Sequence, residues 1–222
     1  DVIEQVEIVT FREAMTETSE AYDVAFVEGS ITRASDIPRI EKIREIAGVV
    51  VALGACATIG GVNCIKNRFS MDEAMETVYG NHAGLFETFE ARPIDAVIDV
   101  DYYLHGCPIN PNEFLMVFHA ILQGRPYTVP DHPVCVECRL KENVCLLEKG
   151  LPCMGPGIQA GCEALCPSNG YYCFGCRGLV SEPNGEAEKE LLQIHGLTAD
   201  EVVGRFNIYV HGGYPEQEEV EA

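Results

Sequence analysis

The sequence has 222 residues, 47% of them hydrophobic, which is enough apolar material for one sizeable domain or two modest ones. Asp and Glu outnumber Lys and Arg by 35 to 15, so the formal net charge is −20, which argues against nucleic acid and anionic membranes as partners. The longest apolar stretch, residues 47–62, is interrupted by glycines and is shorter than the roughly 20 residues that a membrane helix needs. We therefore expect no membrane span.

The first half of the sequence alternates predicted strands and helices. Asp36 is placed to cap the first helix and Gly48 to end it, whereas Ser70 and Asn110 are placed to cap the later helices. This order predicts an α/β fold with a doubly wound parallel sheet. The predicted strands cover residues 6–11, 24–28, 49–53 and 94–100, and the predicted helices cover residues 37–47, 70–80 and 110–123.

Two cysteines follow predicted strands of this sheet. Cys56 comes just after the strand over residues 49–53, and Cys107 comes after the strand over residues 94–100. Ligands of such sheets bind outside the carboxyl ends of the strands, so both cysteines are candidate binding residues.

A change in composition predicts a domain boundary after residue 127. Pro126, Pro130 and Pro133 lie in a connector, and regular periodicity then gives way to Cys, Gly and Pro. We predict an α/β domain over residues 1–127 and a loop-rich domain over residues 128–222. The latter includes an amphipathic stretch over residues 187–195 and an acidic tail containing Glu216, Glu218, Glu219 and Glu221.

Eight of the eleven cysteines form two groups of four. The spacings are Cys135-x2-Cys138-x6-Cys145-x7-Cys153 and Cys162-x3-Cys166-x6-Cys173-x2-Cys176. A cubane cluster needs four thiolates from a segment that wraps around it, and tight pairs with longer gaps suit that geometry. Two structural zinc sites or a disulfide framework are the alternatives. Metal-ligand spacing indicates a reducing compartment, so we expect the cytoplasm.

The motifs resemble those of [NiFe]-hydrogenase small subunits, of the cytoplasmic sulfhydrogenase delta and methanogen deazaflavin-non-reducing type. The resemblance spans about residues 22–180 and implies a flavodoxin-like first domain and a C-terminal iron–sulfur domain. The residues that carry it are Val27-Glu28-Gly29-Ser30, Gly54-Ala55-Cys56-Ala57, Gly106-Cys107-Pro108, Pro152-Cys153-Met154-Gly155-Pro156, Cys166-Pro167 and Cys173-Phe174-Gly175-Cys176, together with Cys135, Cys138, Cys145 and Cys162.

The resemblance implies three [4Fe–4S] clusters. Cys56 and Cys107 would bind the proximal cluster, together with an N-terminal Cys-x-x-Cys that this sequence does not contain. Truncation, disorder of that segment and a true absence of the cluster all stay open. Cys135, Cys138, Cys145 and Cys153 would bind the distal cluster, and Cys162, Cys166, Cys173 and Cys176 the medial one.

Three further residues have open interpretations. Glu28 is a candidate for a proton or water route, with a turn or capping role as the alternative. Cys64 is either a recruited cluster ligand or a buried structural thiol, and His105 either tunes the proximal cluster or is a packing or surface residue.

The resemblance implies an electron-transfer subunit without a catalytic site of its own. Its partners would be a [NiFe] large subunit and an acceptor subunit that carries flavin or iron–sulfur centres. A zinc-stabilised interaction module and an iron–sulfur subunit like that of respiratory complex I are the alternatives. The final acceptor, the direction of electron flow, the oligomeric state and oxygen tolerance cannot be predicted from the sequence.

Overall fold

The computed structural model describes residues 4–16 and 19–209, apart from the side chains of residues 199, 202 and 203. The acidic tail predicted from the sequence lies outside these residues. The described elements are strands β1 (Tyr22–Glu28), β2 (Ala47–Leu53) and β3 (Tyr102–Leu104), and helices α1 (Ile37–Ile46), α2 (Gly54–Ile59), α3 (Met71–Tyr79), α4 (Pro111–Leu122), α5 (Val134–Leu140), α6 (Leu165–Ser168), α7 (Gly185–Ile194) and α8 (Ala199–Tyr209).

The three strands form one parallel sheet in the order β1-β2-β3. Glu28 pairs with Leu53, and Leu53 pairs with Leu104, so the carboxyl ends of all three strands meet at one edge. The predicted α/β fold with a parallel sheet is confirmed. Because the paired strands end at the same level, the loops that follow them lie side by side at this edge.

Both faces of the sheet are covered, because alternate residues of β2 point to opposite sides. Val50 packs with Ile40 of α1 on one face. Val51 packs with Leu104 of β3 and Val117 of α4 on the other face. Since all these side chains are nearly or completely buried, the sheet with its two helical layers forms the core of this part of the chain.

The predicted strand over residues 94–100 is wrong. Ile94–Ala96 is a 3₁₀ turn, and Ile94 and Ile98 face the core at helical spacing. The strand is the shorter Tyr102–Leu104. It follows Asp101, whose carboxylate accepts a hydrogen bond from the backbone N–H of Val50 at 2.7 Å. Cys107 therefore follows a strand as expected, although not the strand that was predicted.

The strand predicted over residues 6–11 is also wrong, because these residues have no strand assignment and Ile8 and Phe11 are exposed. Helix α1 ends one residue early, since Gly48 does not stop the helix but lies inside β2. A Cβ atom on Gly48 would lie 3.0 Å from the carbonyl oxygen of Asp23, which explains the glycine. Asp36 does not cap α1 with its side chain; it pairs with Arg33 at 2.9 Å instead.

The caps predicted for the later helices are confirmed. Ser70 accepts a hydrogen bond from the backbone N–H of Glu73 at 3.2 Å, and Asn110 accepts from that of Asn112 at 2.7 Å. The predicted amphipathic stretch over residues 187–195 forms helix α7.

The C-terminal part is loop-rich and has its own core. Val134 of α5, Met154, Ile158, Leu192 of α7 and Phe206 of α8 pack together, and the cysteines Cys153 and Cys173 belong to the same cluster. The thiols of this region are therefore positioned by short helices around a small apolar centre. Among the described residues, no helix is long and apolar enough to cross a membrane.

Candidate metal centres

All eleven cysteines lie among the described residues, and none of them forms a disulfide. The disulfide framework considered from the sequence is therefore not the arrangement of this chain. The ten cysteines expected as ligands fall into three neighbourhoods.

Cys56 and Cys107 lie at the carboxyl edge of the sheet. Cys56 is in α2 immediately after β2, and Cys107 follows β3. The backbone N–H of Ala55 donates to the carbonyl of Gly106 at 2.8 Å and ties the two loops together. Burial raises the pKa of the Cys56 thiol, and the charges of Cys107 and Glu28 raise it further. The two thiols are thus close enough to interact electrostatically.

The backbone packs tightly against Cys56 at one glycine. A Cβ atom on Gly61 would lie 2.7 Å from the Cys56 Sγ, and Gly61 has a φ of +57°. A side chain there would be strained and would clash with the sulfur, so the glycine keeps the space around the thiol open. Asn63 lies on the same segment, and its amide donates to the Ser30 hydroxyl at 2.8 Å and to the Cys56 Sγ at 3.9 Å.

The residues with open interpretations lie near this pair. Glu28 is exposed at the end of β1 and acts on Cys56 through its charge. Cys64 is 3% exposed, and its thiol donates to the carbonyl of Ala91 at 3.2 Å, which fits a structural thiol. His105 is not a surface residue, because it is buried; burial and the charge of Arg177 lower its pKa to about 4.

The first group of four cysteines gathers around helix α5. Burial raises the pKa of Cys135 to about 12, and the charges of Cys153, Cys138 and Cys145 raise it further. Three further thiols of the group therefore lie close enough to Cys135 to act on it electrostatically. A Cβ atom on Gly155 would lie 3.4 Å from the Cys135 Sγ and 3.5 Å from the Cys153 Sγ, so the backbone runs directly along these sulfurs.

The second group of four surrounds the short helix α6. Burial raises the pKa of Cys176 to about 11, and the nearby thiols of Cys162 and Cys166 act in the same direction. Burial likewise raises the pKa of Cys173 well above its ordinary value, and Cys153, Cys176 and Cys162 are among its charged neighbours. Cys173 thus lies beside thiols of both groups, and the division of the eight cysteines into two ligand sets stays a prediction.

Backbone contacts relate the three neighbourhoods in series. The backbone amide of Cys107 lowers the pKa of the Cys176 thiol, which places the sheet edge beside the second group. The backbone N–H of Cys173 donates to the Sγ of Cys153 at 3.3 Å, which links the second group to the first. Each link connects a cysteine of one neighbourhood to a sulfur of the next.

The cysteine thiols of these neighbourhoods are too far apart to act together as ligands of a single metal ion. In the part of the chain that the structure describes, no three His, Cys, Asp or Glu side chains are grouped closely enough to hold one ion. A cubane holds its four thiolates on four separate irons, which places them farther apart than four ligands of one ion. Thiol donors, backbone N–H groups aimed at sulfur and a glycine beside two thiols all suit such a cluster.

Several polar residues of these sites were not predicted from the sequence. Glu113 lies on the apolar stripe of α4 and is completely buried, and Glu188 lies on that of α7 and is almost completely buried. Their position on an apolar stripe is the one sequence signal that could have identified them. The amide of Asn143 donates to the Cys138 Sγ at 3.6 Å and to the Ser168 hydroxyl at 3.0 Å. Burial raises the pKa of the Tyr209 hydroxyl of α8, and the neighbouring Cys107 thiol raises it further. Neither Asn143 nor Tyr209 has a distinguishing sequence pattern.

The chain is similar to known hydrogenase subunits over most of its length. Residues 1–121 match the family described as NADH ubiquinone oxidoreductase, 20 Kd subunit. The Sulfhydrogenase 2 subunit delta of Pyrococcus furiosus is 35% identical over 207 residues, which cover 92% of this chain and 86% of that protein. A vhu subunit of the F420-non-reducing hydrogenase of Methanococcus voltae is 36% identical over 190 residues, which cover 72% of this chain and 66% of that protein.

Solved structures agree with this similarity. A chain of an NAD+-reducing [NiFe]-hydrogenase in the H2-reduced state has 25% identity and a TM-score of 0.52, covering 58% of this chain and 80% of that one. A chain of an actinobacterial-type NiFe-hydrogenase from Ralstonia eutropha shares the fold at 18% identity, with a TM-score of 0.51, and covers 86% of this chain and 66% of that one. With its parallel sheet, its three thiol neighbourhoods and these relatives, the chain belongs to the NADH ubiquinone oxidoreductase 20 Kd subunit family, as a protein of the [NiFe]-hydrogenase small-subunit type.

Proposed function

We propose that this chain is the electron-transfer small subunit of a [NiFe]-hydrogenase and binds iron–sulfur clusters with its cysteines. The observation that carries the proposal is the serial arrangement of three thiol neighbourhoods: the backbone amide of Cys107 acts on the thiol of Cys176, and the backbone N–H of Cys173 donates to the Cys153 Sγ at 3.3 Å. Clusters of this kind, when bound, each take up and release one electron at a time. Similarity to hydrogenase subunits supports the same role.

The ligand sets follow the neighbourhoods. The distal cluster would be held by Cys135, Cys138, Cys145 and Cys153, and the medial cluster by Cys162, Cys166, Cys173 and Cys176. The proximal cluster would take Cys56 and Cys107 among its ligands. The division into residues 1–127, with the proximal pair, and residues 128–222, with the two complete sets, belongs to the same proposal.

The exposure of the cysteines suits contacts with partner subunits at both ends of the series. Cys107 is exposed at one end, where a large subunit with the nickel–iron centre would dock. Cys145 is exposed at the other end, where a subunit with flavin or iron–sulfur centres would approach. Cys153 and Cys173 are buried between the ends, which keeps water away from the middle of the series. No catalytic residue is assigned to this chain, and the cytoplasm is the proposed location.

The raised thiol pKa values have a direct consequence for cluster assembly. Burial and neighbouring thiols disfavour the thiolate form of Cys135 and Cys176 as long as no cation is present. Iron bound by these thiols would supply the positive charge that favours their thiolate form, so its binding would release their protons. Assembly should therefore be favoured by higher pH.

Metal analysis of the anaerobically purified protein tests the proposal. We expect a brown protein with about eight irons and about eight sulfides per chain for two clusters, or about twelve of each if a third is present. A large subunit that contains nickel should co-purify. A colourless protein that contains zinc would support the interaction module instead, and iron without a nickel-containing partner would favour a subunit of the complex I kind.

A further inference from the structure

An ion pair is buried at the junction between the N-terminal sheet and the cysteine-rich region. Arg177, which directly follows Cys176, is 1% exposed, and Glu113 of α4 is 0% exposed. Removing two charges from water is unfavourable unless both are fully paired and hydrogen-bonded. The cost of such a pair points to a role beyond packing.

The pair is fully partnered. Arg177 donates from Nη1 and Nη2 to the two carboxylate oxygens of Glu113 at 2.6 and 2.7 Å, in a bidentate arrangement. It also donates to the backbone carbonyls of Ala160 at 2.6 Å and His105 at 2.9 Å. The hydroxyl of Tyr127 donates to Glu113 at 3.0 Å. The guanidinium is thus fixed in one orientation by contacts from separate segments of the chain.

The space around the guanidinium is fitted to it. A Cβ atom on Gly161 would lie 2.2 Å from Nη2 of Arg177 and 2.8 Å from Oε1 of Glu113, so only glycine leaves room for the pair. Gly161 directly precedes Cys162, a proposed medial ligand. The ligand loop and the ion pair therefore share one close-packed contact.

The positive charge lies beside the medial thiols. Arg177 interacts electrostatically with Cys162 and with Cys176, its neighbour in sequence. A fixed positive charge in a buried site acts over a short distance with little screening by water or salt. Such a charge stabilises the more negative, reduced form of a nearby cluster.

We propose that Arg177 is a positioning residue that raises the reduction potential of the medial cluster, and that Glu113 moderates this effect while it holds the guanidinium in place. This inference rests on the proposed function, because it requires a cluster on Cys162, Cys166, Cys173 and Cys176. The hydrogen bond to the carbonyl of His105, two residues before Cys107, also fixes the medial set relative to the sheet edge.

The test is a redox titration of the purified complex, with the medial cluster followed by its EPR signal. Arg177→Met removes the positive charge, so the potential should fall. Glu113→Gln keeps the shape but leaves the arginine charge uncompensated, so the potential should rise. We expect each change to alter the ratio of reduced to oxidised cluster at a fixed potential by about tenfold, which corresponds to about 59 mV for one electron.

Two further variants serve as matched controls. Tyr127→Phe removes one hydrogen bond of the same buried group without changing its formal charge, so the potential should stay close to that of the unaltered protein. Arg177→Lys keeps the positive charge but loses the bidentate hydrogen bonds of the guanidinium. The reduction potential of the medial cluster should therefore stay close to that of the unaltered protein.

Opposite shifts in Arg177→Met and Glu113→Gln support the inference. Shifts in the same direction, or no shift in either, would overturn it, because a distorted site would not respond to the sign of the charge. Should Arg177→Met fail to fold, the direction of the shift in Glu113→Gln decides. If the unaltered complex contains no cluster on these cysteines, the proposed function itself fails.

Discussion

Cys166 is a proposed ligand of the medial cluster, and one substitution at this position tests that assignment. It lies in the first turn of α6, where a proline is tolerated because that turn has unpaired N–H groups in any case. Cys166→Pro removes one thiolate and leaves three, so we expect a three-iron medial cluster. The EPR spectrum of the oxidised variant should show the corresponding signal.

Cys64→Ser is the matched control for this substitution. Cys64 is buried and its thiol donates to a backbone carbonyl, so we expect its loss to leave the iron content unchanged. A Cys166→Pro protein without a three-iron signal would contradict the assignment of Cys166 to the medial cluster.

Glu188 makes stability depend on pH. It is 3% exposed, its Oε1 has no hydrogen-bond partner among the described residues, and burial raises its pKa to about 8 from an ordinary value of 4.5. From about pH 4.5 to about pH 8 the folded protein keeps a proton that the unfolded chain releases. The contribution of Glu188 to the free energy of unfolding is therefore complete below about pH 4.5 and is lost as the pH rises to about 8.

Glu188→Gln should remove this pH dependence. The pKa difference corresponds to about 2–4 kcal/mol of unfolding free energy between pH 5 and pH 8, so urea unfolding midpoints of the variant should change less over that interval. Glu190→Gln, on the exposed side of the same helix, should retain the dependence of the unaltered protein. If the urea unfolding midpoints of Glu188→Gln and of the unaltered protein changed equally with pH, this account would be contradicted.

At this scale the sequence predicts ligands better than it predicts the residues that support them. The cysteine spacing alone predicts two groups of four proposed cluster ligands. Arg177 and Glu113 lie 64 residues apart in the chain, and each by itself looks like an ordinary charged residue. Their pairing depends on tertiary packing, which no local pattern encodes.

Helix α4 begins at a side-chain cap and packs against the core. Asn110 accepts hydrogen bonds from the backbone N–H groups of Asn112 at 2.7 Å and Glu113 at 3.4 Å, and α4 buries Val117 and Phe118 against the rest of the protein. Asn110→Ala should lower the unfolding free energy by about 1 kcal/mol, as measured by denaturant titration.

Ser70→Ala is the comparison for this prediction. Ser70 caps α3 with similar chemistry, but α3 has no buried residue, so its first turn can fray without disturbing the core. We expect a smaller loss of global stability than for Asn110→Ala. A larger loss for Ser70→Ala would show that α3 supports the core in a way that burial does not reveal.

Two of the elements that were predicted correctly have a side-chain cap or a continuous apolar run. Helix α4 has Asn110 at its start, and β2 is a run of small and β-branched residues. The run over residues 94–100 is also rich in Ile and Val, but a short run of this kind fits a strand and a helical turn equally well. Only the pairing of Val51 with Tyr102, a tertiary contact, decides that β3 begins later.

For the whole molecule, the contacts across the proposed boundary at residue 127 are numerous and specific. The buried ion pair joins Arg177 to Glu113, and the amide of Asn112 donates to the carboxylate of Glu163 at 2.6 Å. Ile59 lies against Gly178, where a Cβ atom would come within 3.3 Å of its side chain. The prolines of the connector predicted a boundary, but no local sequence pattern predicted these contacts between its two sides.

A cleavable connector tests whether these contacts hold the two sides together. A specific protease site inserted after the exposed Thr128 would allow the chain to be cut between them. We expect the cut protein to elute as one species in size-exclusion chromatography, because separation would leave Glu113 and Arg177 as unpaired charges in surfaces that were buried. Cutting the Arg177→Met protein should weaken this association, since one partner of the pair is already missing. Elution of two separate fragments from the cut but otherwise unaltered protein, without denaturant, would show that the boundary contacts are too weak to fix one cysteine neighbourhood relative to the next.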